Sequence, residues 1–553
     1  IDFLIGRVLS RKYRHQEGAE SQKRALAFDP NFLPAKLQLA LDYLRLGQVE
    51  SAWPLAKEVA AADQYNVLAF NLETLEKEIA SFTSVKTDDF IIRLPPEEAE
   101  IYGGRVVELL TEAKKVLSAK YGLAINEPTL VEFYPNQQDF AIRTFGALGG
   151  EGLLGVCFGS VVTMNSPGSA TAGKNNWEAT LWHEYCHVIT LTATKNKMPR
   201  WLSEGISVYE EKQRHPNWGQ EMSPAYRRMI LEEKSLTPIR DMSQAFFQPE
   251  SGEDLMFAYY QSMLVVDYIV TNFGLDSLRA ILADLATGVL INDALERHTK
   301  PLDELEKEFA LNTIRLAEAY GSTVDWKIPE PEELNTRSSL AVAAFVKANP
   351  ANFEVRQILT GQLLEKEQWD AAIESADALI TLLPGYAGEG NGYTFKALAF
   401  RGKKDTTGEA TVLEELSSHS AEAFSAYTRL IDVNFDGKNW DGVIANARRG
   451  LAINPFNQRI HYCNGCAHEA KAESGLAVKS FENALRLDPV NPSELRFRLA
   501  RLLKRDDETK ARRYLLDSLA DSPRYREAHG LLLEMVEGPK TEPLPSAAGS
   551  VKP

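Results

Sequence analysis

The chain has 553 residues, 44% of them hydrophobic and 25% charged, a globular composition that excludes global disorder and allows three or four cores of about 150 residues each. Lys and Arg total 61 against 77 Asp and Glu, a formal net charge of −16, and such a surface repels phosphate backbones and anionic membranes, which excludes nucleic acid as an expected partner. Four cysteines make no disulfide framework, and no apolar run reaches the roughly 20 residues of a membrane span. The sequence opens on Ile1 rather than Met. The expectation is a trimmed N-terminus, a lost export signal and a bacterial periplasmic or cell-surface location.

Taken in chain order, the first segment already carries a repeat. ALAFDP ends at Pro30, and the same kind of phrase returns as GLAINP ending at Pro455 and ALRLDP ending at Pro489. Pro455, Pro489 and Pro523 are spaced by 34 residues, as are Pro350 and Pro384. A proline at that period stops the second helix of a helix–turn–helix unit. In the clearest copy, Gln458 to Asn491, Gly465, Ala477 and Ala484 are small, so two helices can approach, and Phe481 fills the space between repeats. This resembles the tetratricopeptide repeat (TPR), over roughly residues 1–75 and 337–537. The copy near Tyr386–Ser420 fits poorly.

Residues 85–335 lack the period. Asp89–Leu94 and Thr129–Tyr134 read as strands, and Gly104–Tyr121 reads as a helix. Gly152–Asn165 is Gly-rich and then β-branched, a loop feeding a strand. From Trp177 onward the pattern is mainly helical. The expected fold class is α+β, flanked by all-α repeat arrays. The expected division is 1–84 repeats, 85–335 α+β domain, 336–537 repeats and 538–553 disordered tail.

Chemistry concentrates at His183-Glu-Tyr-Cys-His187. On a helix, residues four apart share a face, so both imidazoles reach one metal ion while Glu184 reaches its water. Asn175 or Asn176 caps that helix. A hydrolytic zinc site needs a third protein ligand. Downstream lies Met198–Glu211, MPRWLSEGISVYEE, with Pro199 suited to a helix start. Glu204, with 16 residues between it and His187, is the leading candidate, with Glu210, Glu211 and His215 as alternatives. The plain alternative for Glu210 and Glu211 is a solvated helix end.

The motif with P-x-W-L-x-E-G-x-x-x-Y-x-E resembles the gluzincin metallopeptidases, closest to the bacterial peptidase MA-like families, often fused to TPRs. The metzincin pattern fails, because Thr190 and Ala193 stand where it needs Gly and His. The resemblance implies a zincin-like domain with one zinc per chain, held by His183, His187 and Glu204, with Glu184 as general base. Ala258–Ser262, AYYQS, resembles a further motif of these families, which implies an oxyanion donor role for Tyr259. Gly155–Asn165 then corresponds to an edge strand that pairs with an extended peptide substrate.

His461, Cys463, Cys466 and His468 mimic a zinc cluster, but all fall within one predicted helix and point around it, so no metal role is expected. The functional expectation is a zinc-dependent peptidase acting on peptide or protein substrates, its repeats binding substrate or a partner protein. The competing one is a repeat scaffold carrying an inactive peptidase-like domain.

Overall fold

A computed structural model describes residues 1–150, 152–169, 175–247 and 249–537. The tail expected to be disordered, 538–553, lies outside the described residues. The chain divides into two compact units: 1–430 with 452–455, and 431–451 with 456–553.

The first unit opens with helices Asp2–Arg11, His15–Phe28, Leu33–Arg45, Val49–Ala62 and Val67–Ile79. A five-stranded sheet follows, comprising β1 (Thr83–Lys86), β2 (Phe90–Leu94), β3 (Thr129–Tyr134), β4 (Gly155–Cys157) and β5 (Val161–Asn165). Its order is β1-β2-β3-β5-β4. β2, β3 and β5 run parallel, and β1 and β4 are antiparallel edges. β1 crosses the boundary drawn at residue 84, so the repeats run directly into the sheet. The stretch 155–165, expected as one edge strand, is a hairpin. β4 is the edge, and β5 lies inside between β3 and β4. The reversal falls at Gly159, whose φ of 99° suits glycine.

Parallel strands bury both faces. All six residues of β3 are buried, and the two faces have different partners. Phe133 packs edge-on against Tyr102, and Phe90 of β2 packs against Tyr185 of the helix Trp177–Ala193. On the opposite face Leu130, Tyr134 and Val161 join Leu44, Trp53, Leu72 and Leu75 of the N-terminal helices in one core. Glu132 shares that face, and there it ion-pairs with Arg143 at 2.8 Å and Arg93 at 3.3 Å. Arg143 also donates to the Leu44 carbonyl at 2.9 Å. A buried carboxylate needs such partners, because stranding one costs about 3–5 kcal/mol. The N-terminal repeats are therefore the second cover of the sheet.

After the sheet the first unit is helical. Helices Trp177–Ala193, Arg200–Arg214 and Gly252–Phe273 frame the motif region, and Leu302–Ala319 follows. Repeat pairs then begin at Ser339–Ala348 and Phe353–Glu365/Trp369–Leu382. Tyr320, Val324 and Trp326 pack into their core around Phe353 and Leu379. The copy that matched the period poorly still forms a pair, Gly392–Gly402/Thr406–Ser417, around Tyr393, Leu413 and Leu416.

In the second unit the pairs Gln458–Ala470/Ser474–Arg486 and Pro492–Leu503/Glu508–Asp521 follow the expected repeat. Phe481 is fully buried with Ala477 and Ala484, and a Cβ on Gly465 would lie 2.5 Å from its ring. Among the described residues no helix is long and apolar enough to cross a membrane.

Because Leu44 belongs to the core beneath the sheet, Leu44→Ala should cost about 2–5 kcal/mol in denaturant unfolding of the intact chain. A cost below about 1 kcal/mol would mean that the repeats merely rest on the sheet.

Candidate metallopeptidase site

The motif helix starts at Asn176, whose Oδ1 accepts from the Glu178 and Ala179 amides at 3.0 and 3.1 Å. Of the two asparagines expected to cap, Asn176 is the one that does. In the first turn Glu178 takes a two-pronged bond from Arg105, at 2.9 and 2.6 Å, which ties the helix to Gly104–Tyr121. Leu181, Trp182, Tyr185 and Ile189 are buried, which fixes how the helix is turned. His183 and His187 thereby share one face, ring centroids 4.8 Å apart.

The chain reverses through Lys195 and Asn196, both in the left-handed region, and Pro199 precedes Arg200–Arg214. This return helix carries Glu204 back. One of its carboxylate oxygens lies 3.2 Å from His183 Nε2 and 3.2 Å from His187 Nε2. Both imidazoles thus aim the same nitrogen at one point. Their other nitrogens are engaged: His183 Nδ1 meets Glu211, and His187 Nδ1 lies 2.8 Å from Ser203 Oγ and 3.2 Å from Ser207 Oγ. Such partners at Nδ1 orient the rings and leave Nε2 for a ligand.

Glu184 stands beside this point. It is 6% exposed, and its Oε2 is buried with no hydrogen-bond partner. Burial pushes its carboxyl pKa up, with the two histidines opposing. Burial also works against charge on Glu204, but His187 and His183 outweigh it and hold that carboxyl well below the usual range. At His183 burial is outweighed by Glu211 and Glu204, and the imidazole is held well above its ordinary value. Among the described residues, His183, Glu184 and His187 form the one cluster whose donor atoms could hold a metal ion, all within 4.8 Å of each other.

The edge strand passes directly over Glu184. A Cβ on Gly155 would lie 2.6 Å from Glu184 Cγ and 2.8 Å from Oε1. Glycine is what lets strand and carboxylate coexist there. On the other side Arg200 donates to Glu204 Oε1 at 3.1 Å and to the Tyr259 hydroxyl at 3.1 Å. Phe246 lies 5.2 Å from the Tyr259 ring and 5.2 Å from the Arg200 guanidinium. Tyr259 is thus linked to the histidine cluster through Arg200. Burial raises its pKa, with Glu204 adding.

The remaining candidates sort out by face. Glu210 is not a solvated helix end: it is buried, ion-paired with Lys120 at 2.7 Å and bonded by the Tyr121 hydroxyl at 2.6 Å, away from the Nε2 atoms. Glu211 is not solvated either, since it holds the far nitrogen of His183. His215 stacks on Trp218 with centroids 6.0 Å apart. In AYYQS, Gln261 bonds both the amide and the carbonyl of Thr237, and Tyr260 stacks on Tyr226 at 4.7 Å. A Cβ on Gly205 would lie 2.5 Å from the Ser262 carbonyl, so that glycine sets how closely the return helix meets Gly252–Phe273.

Arg200, Ser203 and Ser207 were not singled out from sequence, and Gly155 only as the start of the expected edge strand. Arg200 stands four residues before Glu204, and Ser203 and Ser207 flank it. The helical period alone carries that signal.

Residues 112–308 match the family model of the Peptidase MA superfamily. The chain therefore carries a peptidase MA-like domain joined to helical repeats of TPR type. No curated protein matches the chain. Among solved structures, YrrB, described as a TPR protein with an unusual peptide-binding site, is 13% identical with a TM-score of 0.29, over 35% of this chain and 98% of its own. Yeast Tom70 is 12% identical with a TM-score of 0.20, over 97% of this chain and 93% of its own. Neither superposition is close enough to carry an argument.

The His461–His468 cluster lies on one helix, as expected, with His468 Nδ1 on Glu473 at 2.6 Å. Burial pushes the Cys463 thiol up to about 12 and raises Cys466 too. Both cysteines should therefore resist iodoacetamide at about pH 8 in the folded chain and react after urea unfolding, read by mass spectrometry. Rapid reaction in the folded chain would refute this assignment.

Proposed function

We propose that this protein is a zinc-dependent peptidase, with its repeats binding substrate or a partner protein. One observation carries the reading: a single Glu204 oxygen stands 3.2 Å from both imidazole Nε2 atoms, beside a buried Glu184 oxygen without a partner. Two imidazole nitrogens and one carboxylate suit a hydrolytic zinc ion, which leaves a position for water. His183, His187 and Glu204 would hold it. A zinc ion there supplies Lewis acidity toward water and a peptide carbonyl.

The other steps belong to side chains. Glu184 Oε2 accepts a proton from water as the water attacks the carbonyl carbon, and then delivers it to the leaving amine nitrogen. The Tyr259 oxygen already accepts from Arg200, so its own hydrogen is left to donate toward a developing oxyanion. β4 offers an edge on which an extended peptide can pair, with Gly155 keeping that strand close to Glu184.

Purified without chelator, the native chain and Glu184→Gln should each hold about one zinc by elemental analysis. Glu184→Gln should lose about 10²-fold or more in kcat, because an amide accepts no proton. Glu204→Ala should lose the metal. Full turnover in Glu184→Gln, or no zinc after loading the native chain, would refute the reading.

Tyr259→Phe should lower kcat by about 10²-fold with KM nearly unchanged, as expected for a donor used only in the transition state. An unchanged kcat in peptide assays would reduce Tyr259 to a packing residue.

A further inference from the structure

The first helical hairpin approaches the site through one residue. Tyr13 joins Asp2–Arg11 to His15–Phe28 with φ of 60°. The left-handed positions in other helix–helix turns of the repeats hold Gly47, Glu367, Lys404, Lys438 and Ala472. The turn therefore does not call for an aromatic, and a bulky side chain is costly in that conformation.

The ring stacks on Phe158 with centroids 5.9 Å apart, and His15 sits 5.7 Å from it. Phe158 and His15 are buried, at 6% and 2% exposed, whereas Tyr13 keeps 41% of its surface open. Phe158 is the residue that directly follows β4, and β4 begins at Gly155, against Glu184. From Gly155 to Phe158 is three residues, roughly 10 Å of strand. No strand pairs with the outer edge of β4 among the described residues.

We propose that Tyr13 is a specificity-determining residue: the N-terminal repeat forms one wall of the substrate cleft, and the open ring of Tyr13 receives an apolar side chain about three residues from the cleaved bond. The occupant is an extended peptide paired along β4. The inference rests on the peptidase reading, to which it adds a substrate preference. It also gives the repeat a direct part in recognition, since a residue outside the peptidase MA-like segment would touch substrate.

The test compares Tyr13→Ala and Tyr13→Phe in the full, zinc-loaded chain, with β-casein as an unfolded probe. Cut sites are mapped by mass spectrometry. Tyr13→Ala should raise KM about tenfold with kcat within about twofold, and should flatten the apolar preference near the third residue from the cut. Tyr13→Phe should keep both, since the ring remains. Identical cut sites and KM in Tyr13→Ala would overturn the proposal. A second readout needs no turnover. Benzoylphenylalanine placed at position 13 of the Glu184→Gln chain is illuminated with β-casein. A cross-link is expected, and its absence overturns the contact even if the native chain cleaves normally. A cross-link from a chain whose native form cleaves nothing would sink the peptidase reading while the Tyr13 contact stands.

Discussion

Two imidazoles on one helical turn define a direction, and they define a point only when a third group meets them there. The meeting of His183 and His187 with one oxygen of Glu204, 3.2 Å from each, is the contact that the rest of the first unit serves. It requires that the motif helix be turned correctly, which the buried Trp182, Tyr185 and Ile189 secure. It requires that the return helix come back at the right height, which the left-handed pair Lys195–Asn196 and the close approach at Gly205 allow. It also requires that neither ring rotate, and Glu211, Ser203 and Ser207 hold the far nitrogens. Concentrating three acidic groups and two histidines in a buried site is unfavourable unless each charge has a counterpart. Here Arg200 and the imidazoles supply it for Glu204, while one Glu184 oxygen is left without a partner.

The N-terminal repeats belong to the same argument. A sheet with parallel β2, β3 and β5 has two faces to cover, and the motif helix covers one. Leu44, Trp53 and Leu72 cover the other, and the Arg143 bond to the Leu44 carbonyl joins the two across the layer. The repeats thereby stiffen the strands that hold β4 over Glu184. The first hairpin of these repeats turns at Tyr13, which stacks on Phe158 in the turn that closes β4. The N-terminal helical array is in this chain a structural layer of the peptidase MA-like domain.

Much of this was legible in the residues. The 34-residue proline spacing showed the repeats, because a solenoid repeats its packing solution and so repeats its sequence. The HExxH spacing is a property of one helix, so it needed no fold to be read. Less legible was Gly155–Asn165. Three apolar or small residues, a Gly-containing turn and four β-branched or apolar residues before Asn165 resemble one strand until hydrogen bonding divides them into an edge and an interior strand. Of Glu210 and Glu211, the helical period favours Glu211, seven residues after Glu204, but it does not say what either one touches. Adjacent residues on a helix face about 100° apart, and packing against Tyr121 and Lys120 holds Glu210 away from the site while Glu211 reaches His183.

The sequence by itself determined what depends on local periodicity: the helices, the repeat and the pairing of His183 with His187 on one face. Only the tertiary structure decided what depends on separate segments meeting. That includes the orientation of the rings by Glu211 and the serines, the link from Glu204 through Arg200 to Tyr259, and the passage of Gly155 over Glu184. It includes the burial of the second sheet face by the N-terminal helices. The physical reason is that helix and strand periods act over a few residues, whereas a site's geometry is fixed by close packing between elements far apart in the chain.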